Sequence, residues 1–218
     1  MVTSESLTTI DDTDKSREYR NLHQQAGSRF AQHCLAVAVQ ADEKVGGEEI
    51  EGGLGALDRA LQDIRAGMAW AQGRDQEEGW ELVRGYGFAL VRFFSVRGTW
   101  EEWTEWGEAG LKACELLGDI HGMAQTYGNL GVVYADKGVW ERAIELYEQS
   151  LEIKERLGDS HGMAKTWANM GILYEEQGKP RQARKLWRKA LEVFKVLGTP
   201  EAQRVREWLE ELSNWDTE

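Results

Sequence analysis

Apolar residues recur at steps of three and four along the stretch that begins at Gly118. The first half of the stretch carries Tyr127, Leu130, Val133 and Tyr134, and the second half carries Ile144, Tyr147 and Leu151. Such spacing is typical of one apolar stripe along an amphipathic helix. The pattern therefore predicts two consecutive helices, separated by the turn signal DKGVW.

The same pattern recurs forty residues later. Gly118–Leu157 and Gly158–Leu197 align without a gap and share sixteen of their forty positions. A fixed period of roughly 20–50 residues is typical of stacked repeat arrays, in which each unit buries its apolar face against its neighbours. We therefore expect helix, turn, helix and turn in each period, in an all-α fold built as an α-solenoid.

Glycine, proline and aspartate mark the turns between the predicted helices. Gly138 and Gly178 suit the position just after a helix, where a positive φ is needed. Pro180 suits the first turn of the following helix, where its missing N–H costs nothing. The Gly-Asp dipeptides at 118–119 and 158–159 can end one helix and cap the next.

Two glycines lie inside predicted helices, where glycine costs about 1 kcal/mol relative to alanine. They are Gly131 and Gly171. We expect the close approach of the partner helix to offset this cost, at a facing residue that is also small, Ala143 or Ala183. Aromatic residues would then fill the space beside each contact.

Together these residues form a motif of an aromatic residue, Leu or Met, Gly, Tyr, Ala, a second aromatic residue and a small residue. In the two copies it reads Tyr127, Leu130, Gly131, Tyr134, Ala143, Tyr147 and Ser150, then Trp167, Met170, Gly171, Tyr174, Ala183, Trp187 and Ala190. The motif resembles the tetratricopeptide repeat, and the forty-residue period resembles the lengthened variant of Pins-type scaffolds and bacterial sensor proteins. The resemblance implies a right-handed superhelix of antiparallel helix pairs, A and B in each repeat, with the A helices lining a concave groove.

A degenerate copy of the repeat precedes the two full copies, at Glu78–Leu117. Its Gly98 aligns with the turn glycine of the full copies, but Trp103 replaces their buried alanine and Gly107 replaces their second aromatic residue. These two positions lie four residues apart on one helical face. The order of a large and a small residue is therefore reversed with little change in total volume, which cores tolerate best.

The flanking segments complete the predicted organisation. Two helical stretches, Ser16–Lys44 and Leu54–Gln72, precede the repeats, and the second resembles the stretch that leads into the repeats of bacterial signal-transducing ATPases. After the repeats, Glu201–Ser213 carries an apolar face suited to capping the array; its residues are Val205, Trp208, Leu209 and Leu212. The predicted boundaries are a disordered tail at 1–15, an N-terminal helical segment at 16–77 with an acidic Gly-rich loop at 46–55, repeats at 78–117, 118–157 and 158–197, and a capping helix with a tail at 198–218.

The charge balance limits the classes of partner. The chain has 38 Asp and Glu residues against 26 Lys and Arg residues, a net charge of -12, which disfavours non-specific binding to nucleic acid or to an anionic membrane. Its start lacks the basic and apolar regions of a signal peptide, and no apolar run is long enough to span a bilayer. The two cysteines, Cys34 and Cys114, form neither a disulfide framework nor a CxxC metal site. We expect a cytoplasmic protein.

The sequence contains no motif for catalysis or for a cofactor. It lacks a GxxxxGK[ST] loop, an HExxH motif and a GxSxG elbow. His121 and His161 recur one period apart, but neighbouring helices lie about 10 Å apart, too far for both to bind one zinc ion with bonds of about 2 Å. His23 and His33 lie near Cys34 without a fourth ligand. We therefore expect no enzyme activity, no cofactor and no metal site.

Two further clusters have both a structural and an interface interpretation. Trp100, Trp103 and Trp106 have the spacing of packing between repeats, the preferred interpretation, although an exposed aromatic patch would favour a partner. A basic stretch on the last B helix is either a solvated face, which is preferred, or a phosphate-binding surface. Its residues are Lys179, Arg181, Arg184, Lys185, Arg188 and Lys189.

The resemblance implies which residues face the concave groove. They are Phe88, Arg92, Gln125, Asn129, Val132, Asp136, Lys165, Asn169, Ile172 and Glu176. In Pins-type repeats the asparagines that match Asn129 and Asn169 bind a peptide backbone, because an amide both donates and accepts hydrogen bonds. The alternative, that these two are merely duplicated polar residues, stays open. The Lys and Asn pattern of a chaperone-type carboxylate clamp is missing.

The expected function follows from this resemblance. It is a non-enzymatic scaffold that binds a partner protein or peptide in the concave groove. The alternative is a regulatory or sensor subunit, related to the repeat sensors of bacterial signalling ATPases, that controls a separate effector protein. Homo-dimerisation through the N-terminal end of the array, which has no obvious polar cap, is a further expectation.

Overall fold

The computed structural model describes residues 5–47 and 49–215, with side chains described for 15–47 and 49–212. Within these residues every regular element is an α-helix, and the all-α prediction is confirmed. The helices are α1 (Glu5–Val45), α2 (Ile50–Gln72), α3 (Glu77–Ala89), α4 (Val91–Arg97), α5 (Trp100–Leu117), α6 (Ile120–Asp136), α7 (Trp140–Leu157), α8 (Ser160–Glu176), α9 (Pro180–Leu197) and α10 (Glu201–Trp215).

The chain divides into two compact units, Met1–Phe93 and Phe94–Glu218. The division falls inside α4, and therefore inside the segment predicted as a degenerate repeat. The helix that would be helix A of that repeat is interrupted at Leu90, between α3 and α4. The two full copies of the repeat lie wholly in the second unit.

The first unit contains α1, α2 and α3 and is stabilised by hydrogen bonds from buried polar groups. The Tyr86 hydroxyl donates to the Ala31 carbonyl oxygen at 2.6 Å, and the Asp42 carboxylate accepts from the Phe93 backbone N–H at 3.0 Å. Helix α1 begins inside the segment predicted as a disordered tail, and α2 begins inside the segment predicted as a loop at 46–55. Local composition gave no sign of either extension.

Glycines with positive φ recur every twenty residues in the second unit. They are Gly98, Gly118, Gly138, Gly158, Gly178 and Gly198, with φ values from 66° to 73°. Glycine adopts this conformation without the strain that a Cβ atom brings. Each of these residues follows a helix, so one helix and its turn occupy half a repeat. The predicted helix ends at Gly118, Gly138, Gly158 and Gly178 are confirmed.

Side-chain caps fix the starts of the two A helices in the full repeats. Asp119 Oδ1 accepts a hydrogen bond from the Gly122 N–H at 2.8 Å, and Asp159 Oδ1 accepts one from the Gly162 N–H at 2.8 Å. These bonds satisfy one of the backbone donors that a helix start leaves unpaired. Pro180 is the first residue of α9, as predicted.

The helices of the second unit pack as hairpins. Helix α6 packs on α7, helix α8 packs on α9, and α10 packs on α9. One apolar cluster joins the two hairpins and contains Ala143, Tyr147, Met170 and Leu173. A second cluster joins the last hairpin to α10 and includes Trp187, Phe194, Val205 and Leu212. Helix α10 therefore covers the last apolar face, as a capping helix of a repeat array must.

The close contact at the helical glycines involves an aromatic ring rather than the predicted alanine. A Cβ atom at Gly131 would lie 2.6 Å from Tyr147 Cε1, and a Cβ atom at Gly171 would overlap the Trp187 indole. The nearest atoms therefore belong to the second aromatic residue, which was expected beside the contact, and not to the alanine. Each glycine makes room for the ring that lies one helical turn beyond the alanine on helix B.

The degenerate repeat packs differently at the same positions. The Trp103 side chain is buried, and the Phe94 and Trp106 rings meet edge to face with centroids 5.6 Å apart. A Cβ atom at Gly107 would lie 2.7 Å from Leu130 Cδ2. The glycine that replaces the second aromatic residue therefore lets α6 approach α5 closely.

Candidate functional site

A small pocket lies between the A helices of the two full repeats, α6 and α8. Its volume is about 100 Å³. Its walls come from both helices, and Tyr147 reaches it from α7. The lining residues are Val132, Ala135, Asp136, Tyr147, Asn169, Ile172, Leu173 and Glu176.

The pocket brings together five of the ten residues predicted to face the groove. They are Val132, Asp136, Asn169, Ile172 and Glu176. Positions that are equivalent in the two copies, such as 132 and 172 or 136 and 176, meet because the two A helices lie side by side. Their role in binding stays a prediction.

The other five predicted residues lie outside this pocket. Gln125 is exposed and Asn129 is half-buried, both on α6, whereas Phe88 and Arg92 belong to the first unit. Lys165 is exposed on α8. The two asparagines of the proposed ladder therefore differ in their surroundings, since only Asn169 lines the pocket.

Both predicted groove cations pair with acidic residues of their own unit. Arg92 Nη1 lies 3.0 Å from Asp42 Oδ2, and only 6% of the Asp42 side chain is exposed. Lys165 Nζ lies 3.6 Å from Glu201 Oε1 at the start of α10. Both basic side chains stay more than half exposed while they make these contacts.

The two acidic residues of the pocket, Asp136 and Glu176, are exposed as whole residues, but their carboxyls are partly desolvated. Burial raises the pKa of the Asp136 carboxyl. The pKa of Glu176 is raised by burial first, and then by the negative charges of Asp136 and Glu175. Removal from water and the proximity of like charges both disfavour the ionised carboxylate. The two carboxylates thus lie near each other without a compensating cation on the described side chains that line the pocket.

Sequence reasoning missed Tyr147 as a pocket residue. Its side chain is only 2% exposed, and burial raises its phenol pKa, with Asp136 and Glu176 adding to the rise. The matching Trp187 differs, because its indole N–H donates to the Ala168 carbonyl oxygen at 3.1 Å. The sequence offered one sign that residue 147 has a separate role: the two copies differ here, with a tyrosine hydroxyl in one and a tryptophan indole N–H in the other.

Comparison with known families agrees with the repeat pattern. The family model described as "Tetratricopeptide repeat" matches residues 122–195. Residues 122–195 are tetratricopeptide repeats. The match spans most of both full copies, and tetratricopeptide repeats generally act as protein-interaction modules. The likeness to the Pins-type or bacterial-sensor variety stays a prediction.

One solved structure resembles the chain in its fold. The crystal structure of BtubC (BKLC) from P. vanneervenii is 18% identical, with a TM-score of 0.51 over 88% of this chain and 92% of that chain. At this identity the likeness concerns the fold alone. The de novo designed helical repeat protein DHR64 is 18% identical over 88% of this chain and 96% of its own, with a TM-score of 0.28. No curated protein matches the sequence.

The paired histidines of the tetratricopeptide repeats have different surroundings. His121 is exposed. His161 Nε2 lies 3.4 Å from Glu201 Oε1, and the His161 ring meets the Phe194 ring edge to face with centroids 5.8 Å apart. In the part of the chain whose side chains are described, no three His, Cys, Asp or Glu residues are placed to hold a metal ion. Cys34 and Cys114 are both buried free cysteines.

The tryptophan cluster serves packing, whereas all but one of the basic residues on the last B helix and in the turn before it are exposed. Trp103 and Trp106 are buried, and Trp100 stacks on Trp103 with ring centroids 6.0 Å apart. On α9, Lys189 Nζ lies 5.3 Å from the Trp167 ring centroid and Arg184 donates to the Leu212 carbonyl oxygen at 3.3 Å.

No described helix is both long and apolar enough to cross a membrane.

Proposed function

We propose that this chain is a non-enzymatic interaction scaffold that binds a partner peptide or protein along the A helices of its tetratricopeptide repeats. The pocket between α6 and α8 is the observation that carries the proposal. It joins equivalent positions of two neighbouring repeats, and its lining combines apolar side chains with a few polar groups, the composition expected of a specificity pocket.

The chemistry of the pocket supports binding rather than catalysis. Its polar groups are two carboxyls whose pKa values are raised, an amide and a phenol. Paired carboxyls alone can serve acid–base catalysis, but with a volume of about 100 Å³ the pocket is well below the roughly 300–1,000 Å³ of small-molecule sites. A single side chain of a larger partner fits it better than a substrate does.

Several finer expectations belong to the same proposal. The net charge of -12 supports a protein partner rather than nucleic acid or an anionic membrane surface, and we place the protein and this partner in the cytoplasm. Homo-dimerisation through the N-terminal end stays part of the proposal, and sedimentation of the purified chain checks it.

Site-specific photo-crosslinking in the native cell tests the proposal. A photo-reactive phenylalanine derivative at Ile172 should crosslink a partner protein that mass spectrometry identifies. The matched control carries the same derivative at Glu148, an exposed residue of α7, and should crosslink that partner much less. Equal yields at both positions, or no crosslink at Ile172, would contradict groove binding. Recovery of a signalling effector would favour the regulatory-subunit alternative.

A further inference from the structure

We propose that the pocket between α6 and α8 receives one lysine or arginine side chain of the bound partner. This inference rests on the proposed function and names the chemistry that the site selects. The carboxylates of Asp136 and Glu176 supply negative charge, and the Asn169 amide oxygen is an acceptor. The apolar wall suits the aliphatic stem of a basic side chain; its members are Val132, Ala135, Ile172 and Leu173.

The Tyr147 hydroxyl is a second polar feature of the pocket, separate from the two carboxylates. The Tyr147 side chain is 98% buried, since 2% is exposed, and no hydrogen-bond partner for its hydroxyl is found among the described residues. Tyr147 lines the same pocket as Asp136 and Glu176, and the negative charges of these two residues act on its phenol, so the hydroxyl lies near the acidic groups of the pocket. An incoming N–H donor would satisfy this oxygen.

Nearby basic residues of the chain do not neutralise the pocket. Lys165 pairs with Glu201, and Lys137 Nζ lies 5.6 Å from the Tyr134 ring centroid. Lys179 Nζ lies 5.8 Å from the Tyr174 ring centroid and donates to Gln177 Oε1 at 2.6 Å. None of the described residues that line the pocket is basic, so the negative charge at Asp136 and Glu176 is available to a basic group of the partner. A carboxylate from a partner would meet repulsion from both.

The size of the pocket limits the occupant to one side chain. A volume of about 100 Å³ accommodates the end of a Lys or Arg side chain rather than a folded element. Removal from water strengthens a charge-assisted hydrogen bond in such a site. The rest of the partner would lie along the exposed faces of α6 and α8.

A selection from a displayed random-peptide library against the full chain tests the inference. The selected peptides should share a Lys or Arg at one position. Synthetic versions with acetylated N-termini exclude capture of a terminal amine. Replacing the shared basic residue with norleucine, which keeps the apolar stem, should weaken binding by about tenfold or more, as for loss of a hydrogen bond to a charged group.

Paired variants then connect this preference to the pocket. In the Asp136→Asn, Glu176→Gln double variant, the basic peptide and its norleucine version should bind equally. The control double variant, Glu148→Gln with Glu152→Gln on exposed positions of α7, changes net charge by the same amount and should keep the preference. A preference that persists in the pocket variant, or disappears in both, overturns the inference.

The outcomes also separate this inference from the proposed function. Selected peptides that lose binding with Asn169→Ala but tolerate norleucine would overturn the basic-side-chain inference and leave groove binding standing. Failure to select any peptide that competes at the groove, together with no crosslink from Ile172, would overturn both.

Discussion

The Tyr147 ring lies over Gly131 so closely that a Cβ atom at residue 131 would stand 2.6 Å from Tyr147 Cε1. Residue 131 is therefore a glycine because the Tyr147 ring leaves no room for a side chain, and not because the backbone needs a special conformation. Tyr147 also lines the pocket between the repeats. The same contact thus packs the hairpin of α6 and α7 and holds a pocket residue in place.

Gly131→Ala should destabilise the protein by about 1–3 kcal/mol, because the added methyl group displaces a fully packed ring. Thermal unfolding measures this as a fall of about 2–4 °C in melting temperature for each kcal/mol in a chain of this size. The matched control is Gly128→Ala on the same helix, where a Cβ atom would lie 3.4 Å from Ser150 Oγ, an ordinary contact. Both variants gain the same helix propensity, so an equal effect on stability would mean that the ring does not restrict residue 131.

The N-terminal caps make a second prediction about stability. Asp119→Ala and Asp159→Ala should each cost about 0.5–2 kcal/mol, because each removes the acceptor for a helix-start N–H. Urea denaturation of each variant measures the loss. Asp→Asn at the same positions keeps a side-chain oxygen and should restore most of the stability. If Asn behaves like Ala, the negative charge matters more than the hydrogen bond.

Local chemistry made the repeat architecture predictable from the sequence. The αL glycines and the Asp caps act within a few residues of their own positions, so their spacing alone located the turns of the second unit. The partner of Gly131 could not be predicted in the same way. Ala143 and Tyr147 lie one turn apart on the same face of α7, and only the rotation of that helix decides which side chain meets the glycine.

The candidate site was predictable in part, for a related reason. The repeat register placed Asp136 and Glu176 at equivalent positions on neighbouring A helices, and both line the pocket. The repeat register could not predict the ion pairs of Lys165 and Arg92. Their partners, Glu201 and Asp42, belong to elements outside the repeat pattern. The interruption of the helix at Leu90 likewise has no local sequence motif that would predict it.

The acidic groups of the pocket should make the free energy of unfolding depend on pH. Burial raises the folded-state pKa of Asp136 and Glu176 above their ordinary values of 3.8 and 4.5, so their ionised forms destabilise the folded chain. This cost is fully present at neutral pH and is lost as the pH falls through the raised pKa values. Glu175, whose own pKa is raised by burial and by Glu211, contributes in the same direction.

The Asp136→Asn, Glu176→Gln double variant should therefore be more stable than the wild type at pH 7, with a difference that shrinks towards acid pH. Urea denaturation at neutral and acid pH measures this difference. The Glu148→Gln, Glu152→Gln variant should show no such trend, since its carboxyls lie on α7 outside the pocket. A double variant that is less stable at pH 7 would indicate that the carboxylates are stabilised by contacts in the folded chain.

Variants of the two asparagines, Asn129 and Asn169, distinguish two modes of partner binding. In one, both amides bind the partner backbone; in the other, the pocket alone recognises the partner. Asn169 lines the pocket, whereas Asn129 lies outside it. If the pocket carries recognition, Asn169→Ala should weaken binding of a crosslinked or selected partner by about 1–3 kcal/mol, or roughly 5- to 150-fold in Kd, while Asn129→Ala has a much smaller effect. Isothermal titration calorimetry measures both affinities, and circular dichroism confirms that helicity is unchanged. Equal losses in the two variants would favour the ladder, because a backbone-binding row requires every asparagine to contribute.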